Sequence, residues 1–250
     1  MDQTPIFFTI TPRTTLNTVG ACTVNVRTST SSTMRVTVAV TVSASGKMLP
    51  SMIVYKGKPG RHIEREFSDF MVSRHFCVQE RAWMDEVVMK KWVDEILIPH
   101  CKQAPSGIHP ILLLDSYRCH LMASVVNQIQ NAGIQVEHIP GGCTSLCQPI
   151  AIGIGKPLKN RVCDDWEEWM LEQGDTAIFK PPTRETLAKW IVTSLQSLSS
   201  EMVQNSWRHG QYSYFPTEVE AEQNENEDEM QSLQNEMLEF VNEQTEMVDS

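Results

Sequence analysis

A short apolar run in the middle of the chain ends in a carboxylate. The residues from Ile111 to Leu114 are all aliphatic, and Asp115 follows them directly. A continuous run of this length is typical of a strand covered on both faces, so the sequence predicts Asp115 at the carboxyl end of a buried strand. A carboxylate there can hold a metal ion or simply cap the following loop, and the strand alone leaves both interpretations open.

A second group of potential ligands is formed by cysteines and histidines. Cys143 and Cys147 lie near His138 and His120 in the sequence, which raises the question of a zinc site. Their spacing matches no standard zinc ribbon or finger. The seven cysteines are also an odd, scattered set rather than a disulfide framework, so we expect ordinary reduced thiols.

The elements that must position Asp115 alternate between strands and helices. Val- and Thr-rich residues from Met34 to Ser43, a turn at Ser45-Gly46-Lys47 and the apolar run Met52 to Tyr55 predict a β-hairpin. Apolar residues at helical spacing then predict a helix from Trp83 to His100, which Pro99 should help to end. Most tryptophans fall on such stripes, and we expect core positions for Trp83, Trp92, Trp166, Trp169, Trp190 and Trp207.

The segments after Asp115 predict a β-α-β unit. Met122 to Ala132 has helical periodicity, Gly133 is placed to cap that helix, and Ile134 to Ile139 follows as a strand. Two further helices are predicted, from about Lys156 to Leu171 and from Thr183 to about Val203. Strands followed by alternating units predict an α/β fold, with a mixed sheet flanked by helices.

Three segments in order resemble the DDE-type endonuclease domain of pogo/Tigger transposases, a family related to Jerky and centromere protein B. They are the residues Met1 to Pro5, the strand ending at Asp115 with Ser116 to His120 after it, and the block from Gly142 to Pro149 leading into Gly155 to Arg161. The resemblance covers roughly residues 1–215 and implies a ribonuclease-H-like fold.

The resemblance also implies a metal-dependent site. Asp2 and Asp115 would lie side by side as the catalytic, Mg²⁺-binding carboxylates, and a third would follow the Gln-Pro pair at residues 148 and 149. Mg²⁺ prefers hard oxygen ligands, and a pair of such ions can stabilise both the attacking and the leaving oxygen of a phosphodiester. His120 is either a neighbour of this site or a structural histidine.

The sequence departs from the family pattern at two places. The third carboxylate position is Ala151, and the next acids, Asp164 and Asp165, lie 13 or more residues further along a predicted helix, on the order of 20 Å away. Asp2 should close the first strand, but only Met1 precedes it, so we expect that strand to be truncated. These departures predict a derivative that binds Mg²⁺ poorly.

Charge divides the chain at about residue 216. Residues 217–250 carry 12 of the 31 acidic residues and no Lys or Arg, which leaves 19 acids against 21 bases in the rest. We therefore expect a domain at residues 1–215 and an acidic, largely disordered tail at 216–250, with a short amphipathic helix as an alternative within it. Six basic residues of the domain are candidates for binding phosphate, and the alternative for each is a solvated surface charge. They are Lys56, Lys58, Arg61, Lys156, Lys159 and Arg161.

Three functions follow as hypotheses. The first is a transposase-derived, nucleic-acid-binding domain that no longer cuts its DNA partner and works in the nucleus. The second is a Mg²⁺-dependent endonuclease using Asp2, Asp115 and an unidentified third ligand. The third is a protein-interaction module that acts through the acidic tail. No apolar stretch is long enough to cross a bilayer, so a membrane partner is not expected.

Overall fold

The computed structural model describes residues 1–10, 34–71, 75–104, 107, 109–172 and 181–212, all within one compact unit, Met1–Tyr212. None of the helices in these ranges is both long and apolar enough to cross a membrane. The predicted boundary between residues 215 and 216 and the acidic tail lie outside the described residues and stay predictions.

The described residues form six strands and eight α-helices. The strands are β1 (Asp2–Phe7), β2 (Arg35–Val40), β3 (Met52–Lys56), β4 (Phe76–Gln79), β5 (Ile111–Asp115) and β6 (Gln135–Ile139). The helices are α1 (His62–Glu66), α2 (Glu86–Trp92), α3 (Ile98–Cys101), α4 (Ala123–Asn131), α5 (Thr144–Cys147), α6 (Gly155–Glu172), α7 (Arg184–Gln196) and α8 (Ser200–His209). Wider π-helical turns at Val93–Leu97 and Ile150–Ile154 lead into α3 and α6.

The strands form two sheets that meet at β1 and β5. In the first sheet β1, β2 and β3 pair antiparallel in that order and β4 adds parallel to β3; in the second, β5 and β6 pair parallel. One backbone hydrogen bond of 3.0 Å runs from Met1 N to Leu113 O across the seam. The prediction of an α/β fold with a mixed sheet flanked by helices is confirmed.

Each face of the first sheet buries its own core, because side chains alternate along a strand. Val36, Val38 and Val40 point to one face, where they pack with α6, α7 and α8. Ala39, with Met52 and Val54 of β3, points to the other face, where it packs with α2, the π-helical turn after it, β5 and α4. The sheet is therefore buried between two helical layers.

The hairpin and the β-α-β unit match their predictions. Lys47 O accepts a hydrogen bond from Ser43 N, and Gly46 takes a positive φ of 89° in the turn between them. Gly133 has a positive φ of 77° at the end of α4, as expected for a residue that caps a helix in the left-handed conformation.

The structure differs from the predictions at β1. Asp2 begins this strand rather than ending it, and all six residues to Phe7 pair with β2. The strand forms because Thr4, Ile6 and Phe8 bury alternate side chains, a period of two that the prediction did not use.

Two helical segments also differ from their predictions. The helix expected to end at His100 ends at Cys101, but Pro99 lies in the first turn of α3, after a π-helical turn that accommodates its ring and its missing N–H. The single helix expected from Thr183 is broken near Ser199, whose hydroxyl accepts a hydrogen bond from Met202 N and starts α8. A serine that caps a new helix stops the previous one from continuing.

Gly153 fixes the approach of the π-helical turn before α6 to helix α8. A Cβ atom at Gly153 would lie 2.7 Å from Ser206 Cβ, inside van der Waals contact. We expect Gly153→Ala to lower the free energy of unfolding by about 1–3 kcal/mol, as overpacking does elsewhere. Urea unfolding will measure this, with Gly141→Ala as the matched control, since a Cβ there meets nothing within 4 Å. An equal effect of both substitutions would contradict the close approach.

Candidate functional site

The two expected carboxylates come together at the seam between the sheets. Asp2 begins β1, Asp115 ends β5, and both line one cavity of about 190 Å³. The hydrogen bond from Met1 N to Leu113 O places these strand ends next to each other. The fold therefore places Asp2 and Asp115 side by side, as the family resemblance implies.

His120 belongs to this site. Its imidazole is 1% exposed, and Nδ1 lies 2.6 Å from Asp115 Oδ1 while Nε2 lies 2.8 Å from the side-chain amide of Gln3. The imidazole thus connects the end of β5 to β1. Of the two alternatives that the sequence left open, the structure places His120 beside the carboxylates, five residues after Asp115 in a loop that turns back on the strand.

The carboxylates differ in their protonation equilibria. Burial raises the pKa of Asp2, and the negative charge of Asp115 raises it further, although a hydrogen bond from Gln3 N opposes both. Burial would also raise the pKa of Asp115, but the hydrogen bond from His120 and that residue's charge lower it below the usual value. Asp115 is therefore the ionised partner of an ion pair at neutral pH.

His120 shows the reciprocal effect. Burial lowers its pKa, but hydrogen bonds to Asp115 and Cys119 and the charges of these two groups together outweigh burial and raise the pKa to about 9. In the structure Gln3 Nε2 faces His120 Nε2 and donates to Cys119 Sγ at 3.8 Å. A protonated imidazole donates from both nitrogens, so protonation of His120 requires the Gln3 amide to turn its oxygen toward Nε2.

The position expected for the third metal ligand lies in the segment that follows Gln148 and Pro149. Gln148 is buried, and its Nε2 donates to Met1 O at 3.2 Å, which holds this segment against the start of β1. Ala151 lies one turn later, in the π-helical turn Ile150–Ile154, and is exposed. Its methyl group offers no oxygen to a metal ion.

The next acids along the chain lie away from the site, as predicted from their spacing. Asp164 and Asp165 are in α6, more than two turns beyond its first residue, and Asp165 lines a separate cavity with Glu168 and Trp169. Across the described ranges, no cluster of three or more His, Cys, Asp or Glu side chains is arranged to hold a metal ion. The described cysteines are free thiols.

The six candidate phosphate-binding residues form two sets away from the carboxylates. Lys56, Lys58 and Arg61 are exposed, and Lys56 lies at the opposite end of the first sheet from Asp2, since β3 runs antiparallel to β2. The second set is on α6, where Lys156 and Lys159 are exposed and the Arg161 guanidinium donates to Ser197 Oγ. Neither set lines the carboxylate cavity.

One aromatic prediction is wrong and bears on the site. Trp92 and Trp166 are buried, but Trp83 is 48% exposed and lines the carboxylate cavity with Tyr117 and Arg35. Trp83 leaves the core because Asp85 caps α2 by accepting a hydrogen bond from Val88 N, so the residue precedes the helix whose stripe it seemed to continue. Asp85, an acid at the start of the helix, is the feature of the sequence that indicates an exposed Trp83.

Comparison with known proteins identifies the class. The family model for the DDE superfamily endonuclease matches residues 33–207, so the chain belongs to that family. Among curated proteins it is similar to the pogo transposable element with KRAB domain of Mus musculus, with 27% identity over 215 residues, and to that of Homo sapiens, with 27% over 210. These matches cover 83% and 81% of this chain but 34% and 33% of the relatives, so the chain spans about a third of their length.

Two other similarities have different coverage. ARS-binding protein 1 of Schizosaccharomyces pombe is 26% identical over 183 residues, which is 69% of this chain and 34% of that protein. Among solved structures, the Mos1 strand transfer complex has a TM-score of 0.49 at 12% identity, covering 83% of this chain and 49% of that one. The prediction of a pogo-related DDE endonuclease domain is confirmed.

The ion pair at the seam should be visible in titrations. We expect the His120 pKa, followed by NMR in metal-free protein, to be about 9 and to fall toward the ordinary 6.5 or below in Asp115→Asn. The folded state should gain stability from this pair below pH 6.5 and lose it as the pH rises to about 9, because the raised pKa favours protonated His120 only when folded.

A second variant serves as the control for this titration. Glu95→Gln removes the partner of His75, which is 3.4 Å away at the surface. It should leave the His120 pKa unchanged. If Asp115→Asn also leaves it unchanged, then Asp115 is not the source of the raised pKa.

Proposed function

We propose that this chain is a transposase-derived nucleic-acid-binding domain that does not cut DNA. The observation that carries this proposal is Ala151, an exposed methyl group at the position where the family pattern places its third carboxylate. The two remaining acids, Asp2 and Asp115, share one cavity, and that arrangement supports descent from a metal site.

The residues present do not fit the two-ion site of phosphodiester cleavage. Asp2 and Asp115 provide carboxylates for one divalent ion, and one Asp115 oxygen already accepts a hydrogen bond from His120. Each Mg²⁺ in a two-ion site needs near-octahedral oxygen ligands and negative charge that water cannot supply. A buried imidazolium in contact with Asp115 further disfavours a second cation nearby.

Charge and exposure support the nucleic-acid partner. Five of the six candidate phosphate-binding side chains are exposed, and the chain outside the acidic tail has a slight excess of bases. Lys156 and Lys159 are three residues apart in α6 and therefore lie on the same face. Basic side chains that approach phosphates release counterions, which stabilises binding without sequence specificity. A DNA partner places the protein's work in the nucleus.

One relative's name agrees with this partner. ARS-binding protein 1 is named for binding ARS, and its similarity covers 69% of this chain. The alternative of a protein-interaction module depends on residues 217–250, outside the described part of the chain. The protein-interaction alternative is favoured if those residues alone capture a protein while the domain binds no DNA.

The ligand count predicts no cutting. We expect no detectable nicking of supercoiled plasmid by the unaltered chain with Mg²⁺ or Mn²⁺, because the paired ions that stabilise both oxygens cannot both be held. Agarose gels that separate supercoiled from open-circular DNA will measure this, with Asp115→Ala as the matched variant. Metal-dependent nicking that Asp115→Ala abolishes would show that the site is active.

The acidic tail should compete with DNA for the basic side chains. Deleting residues 217–250 removes 12 acids and no bases, so we expect tighter binding to a short duplex at about 50 mM salt and a smaller difference at higher salt. Fluorescence anisotropy of a labelled duplex will measure both. Equal affinity of the two proteins at low salt would exclude competition by the tail.

A further inference from the structure

A groove of about 620 Å³ lies between helices α6 and α7. On each helix its lining residues are spaced three and four positions apart, so they lie on one face of that helix. We call this surface the α6–α7 groove. Its main side chains are Asp165, Glu168, Trp169 and Glu172 of α6 and Glu185 and Trp190 of α7.

Two indole rings form the apolar part of the α6–α7 groove. The ring centroids of Trp169 and Trp190 are 6.2 Å apart with 68° between the planes, so the edge of one ring meets the face of the other. Both side chains are half-buried, and Trp190 packs against the core beneath it. Met71, which is 90% exposed, borders the same space. The rings are thus held by the fold while part of their surface stays open to a ligand.

The charged side chains of the groove are mostly carboxylates. Lys189 is the one base among the described residues that line it. The four acids are Asp165, Glu168, Glu172 and Glu185. Arg184 does not add a second base, because its guanidinium pairs with Glu66 at 2.9 Å. The groove therefore has a negative charge that its own lysine only partly compensates.

The protonation equilibrium of Asp165 reflects this charge. Burial raises the pKa of Asp165, and the negative charges of Glu168 and Asp164 raise it further, although a hydrogen bond from Ser194 opposes them. Carboxylates that repel one another are stabilised when a cation lies among them. A cationic ligand is consequently favoured here, and a phosphate group is repelled.

The lysines of α6 lie too far away to neutralise the groove. Lys159 precedes Glu168 by nine residues, which is about 13 Å along a helix. Charges at the surface are screened over about 8 Å at physiological salt. Helix α6 thereby carries two surfaces of opposite charge, and they favour different partners.

We propose that the α6–α7 groove binds a basic peptide segment of a protein partner and takes up one of its lysine or arginine side chains. The cationic head group contacts the carboxylates of Glu168 and Glu172. The aliphatic stem lies on Trp169 and Trp190, whose ring faces also attract cations. A volume of about 620 Å³ is sufficient for one long side chain with the peptide backbone at the rim.

Binding of a lysine peptide tests this inference. Full-length protein is titrated into a fluorescein-labelled peptide of about 12 residues, in which Gly-Ser pairs separate the lysines, at about 50 mM salt. Glu168→Gln combined with Glu172→Gln should weaken binding by about 3- to 10-fold, because two exposed ion pairs are lost. Residues 217–250 also attract lysines, so the matched control removes two exposed acids outside the groove. This control, Glu80→Gln with Glu201→Gln, should change binding by less than about 2-fold.

The indole N–H resonances locate the bound peptide by NMR. After assignment by single Trp→Phe substitutions, the resonances of Trp169 and Trp190 should shift when the peptide is added, while those of buried Trp92 and Trp166 stay in place. Trp169→Leu keeps an apolar side chain but removes the ring face, so it should weaken peptide binding by about 2- to 30-fold. An unchanged Trp166 resonance in that variant shows that the core is intact.

Several results would overturn the inference. If the two double variants bind the lysine peptide equally, the attraction comes from charges outside the groove. If a peptide with acetylated lysines binds as tightly, the groove does not select cations. Shifts of the Trp169 and Trp190 resonances with protein concentration alone would make a second copy of this chain the occupant, and the same shifts on addition of a DNA oligomer would place nucleic acid there.

The proposed function is tested separately from this inference. Glu168→Gln combined with Glu172→Gln should bind a DNA duplex at least as tightly as the unaltered protein, because the substitution removes only negative charge. Failure of the lysine peptide to bind would therefore refute the peptide-binding groove and leave the nucleic-acid proposal standing.

Discussion

The imidazole of His120 is the contact that the candidate site depends on. It is buried where the two sheets meet, and it bridges Asp115 at the end of β5 and Gln3 near the start of β1. A buried charge is tolerated only when it is paired and hydrogen-bonded, so the protonated ring requires both partners in place. Together with the single hydrogen bond from Met1 N to Leu113 O, it fixes how β1 and β5 lie against each other.

This contact also explains how Asp2 and Asp115 can lie side by side in the folded protein. In a working metal site the ions compensate the charge of the converging acids. Here His120 compensates Asp115 from within the protein, and the raised pKa of Asp2 reduces the remaining repulsion. The fold can therefore keep both aspartates next to each other without a bound metal ion.

The surface around the carboxylates has a different composition from the lysine-bearing helix α6. The carboxylate cavity is lined by the rings of Trp83 and Tyr117 and by Arg35, whereas α6 presents exposed Lys156 and Lys159 on a helical face. Compact ammonium groups act on phosphates as point charges, and planar guanidinium groups can also stack on rings.

The sequence by itself determined the elements with strong periodicity and their order. The run ending at Asp115, the hairpin turn at Gly46 and the cap at Gly133 were predictable because each depends on local backbone and burial preferences. The family pattern supplied the pairing of Asp2 with Asp115 and the significance of Ala151. Only the tertiary structure decided that His120 is the partner of Asp115, that Pro99 is accommodated by a wider turn, and that Trp83 is exposed. Those outcomes depend on which elements pack against each other, and contacts between residues more than a hundred positions apart, such as Gln3 and His120, leave no periodic signal in one sequence.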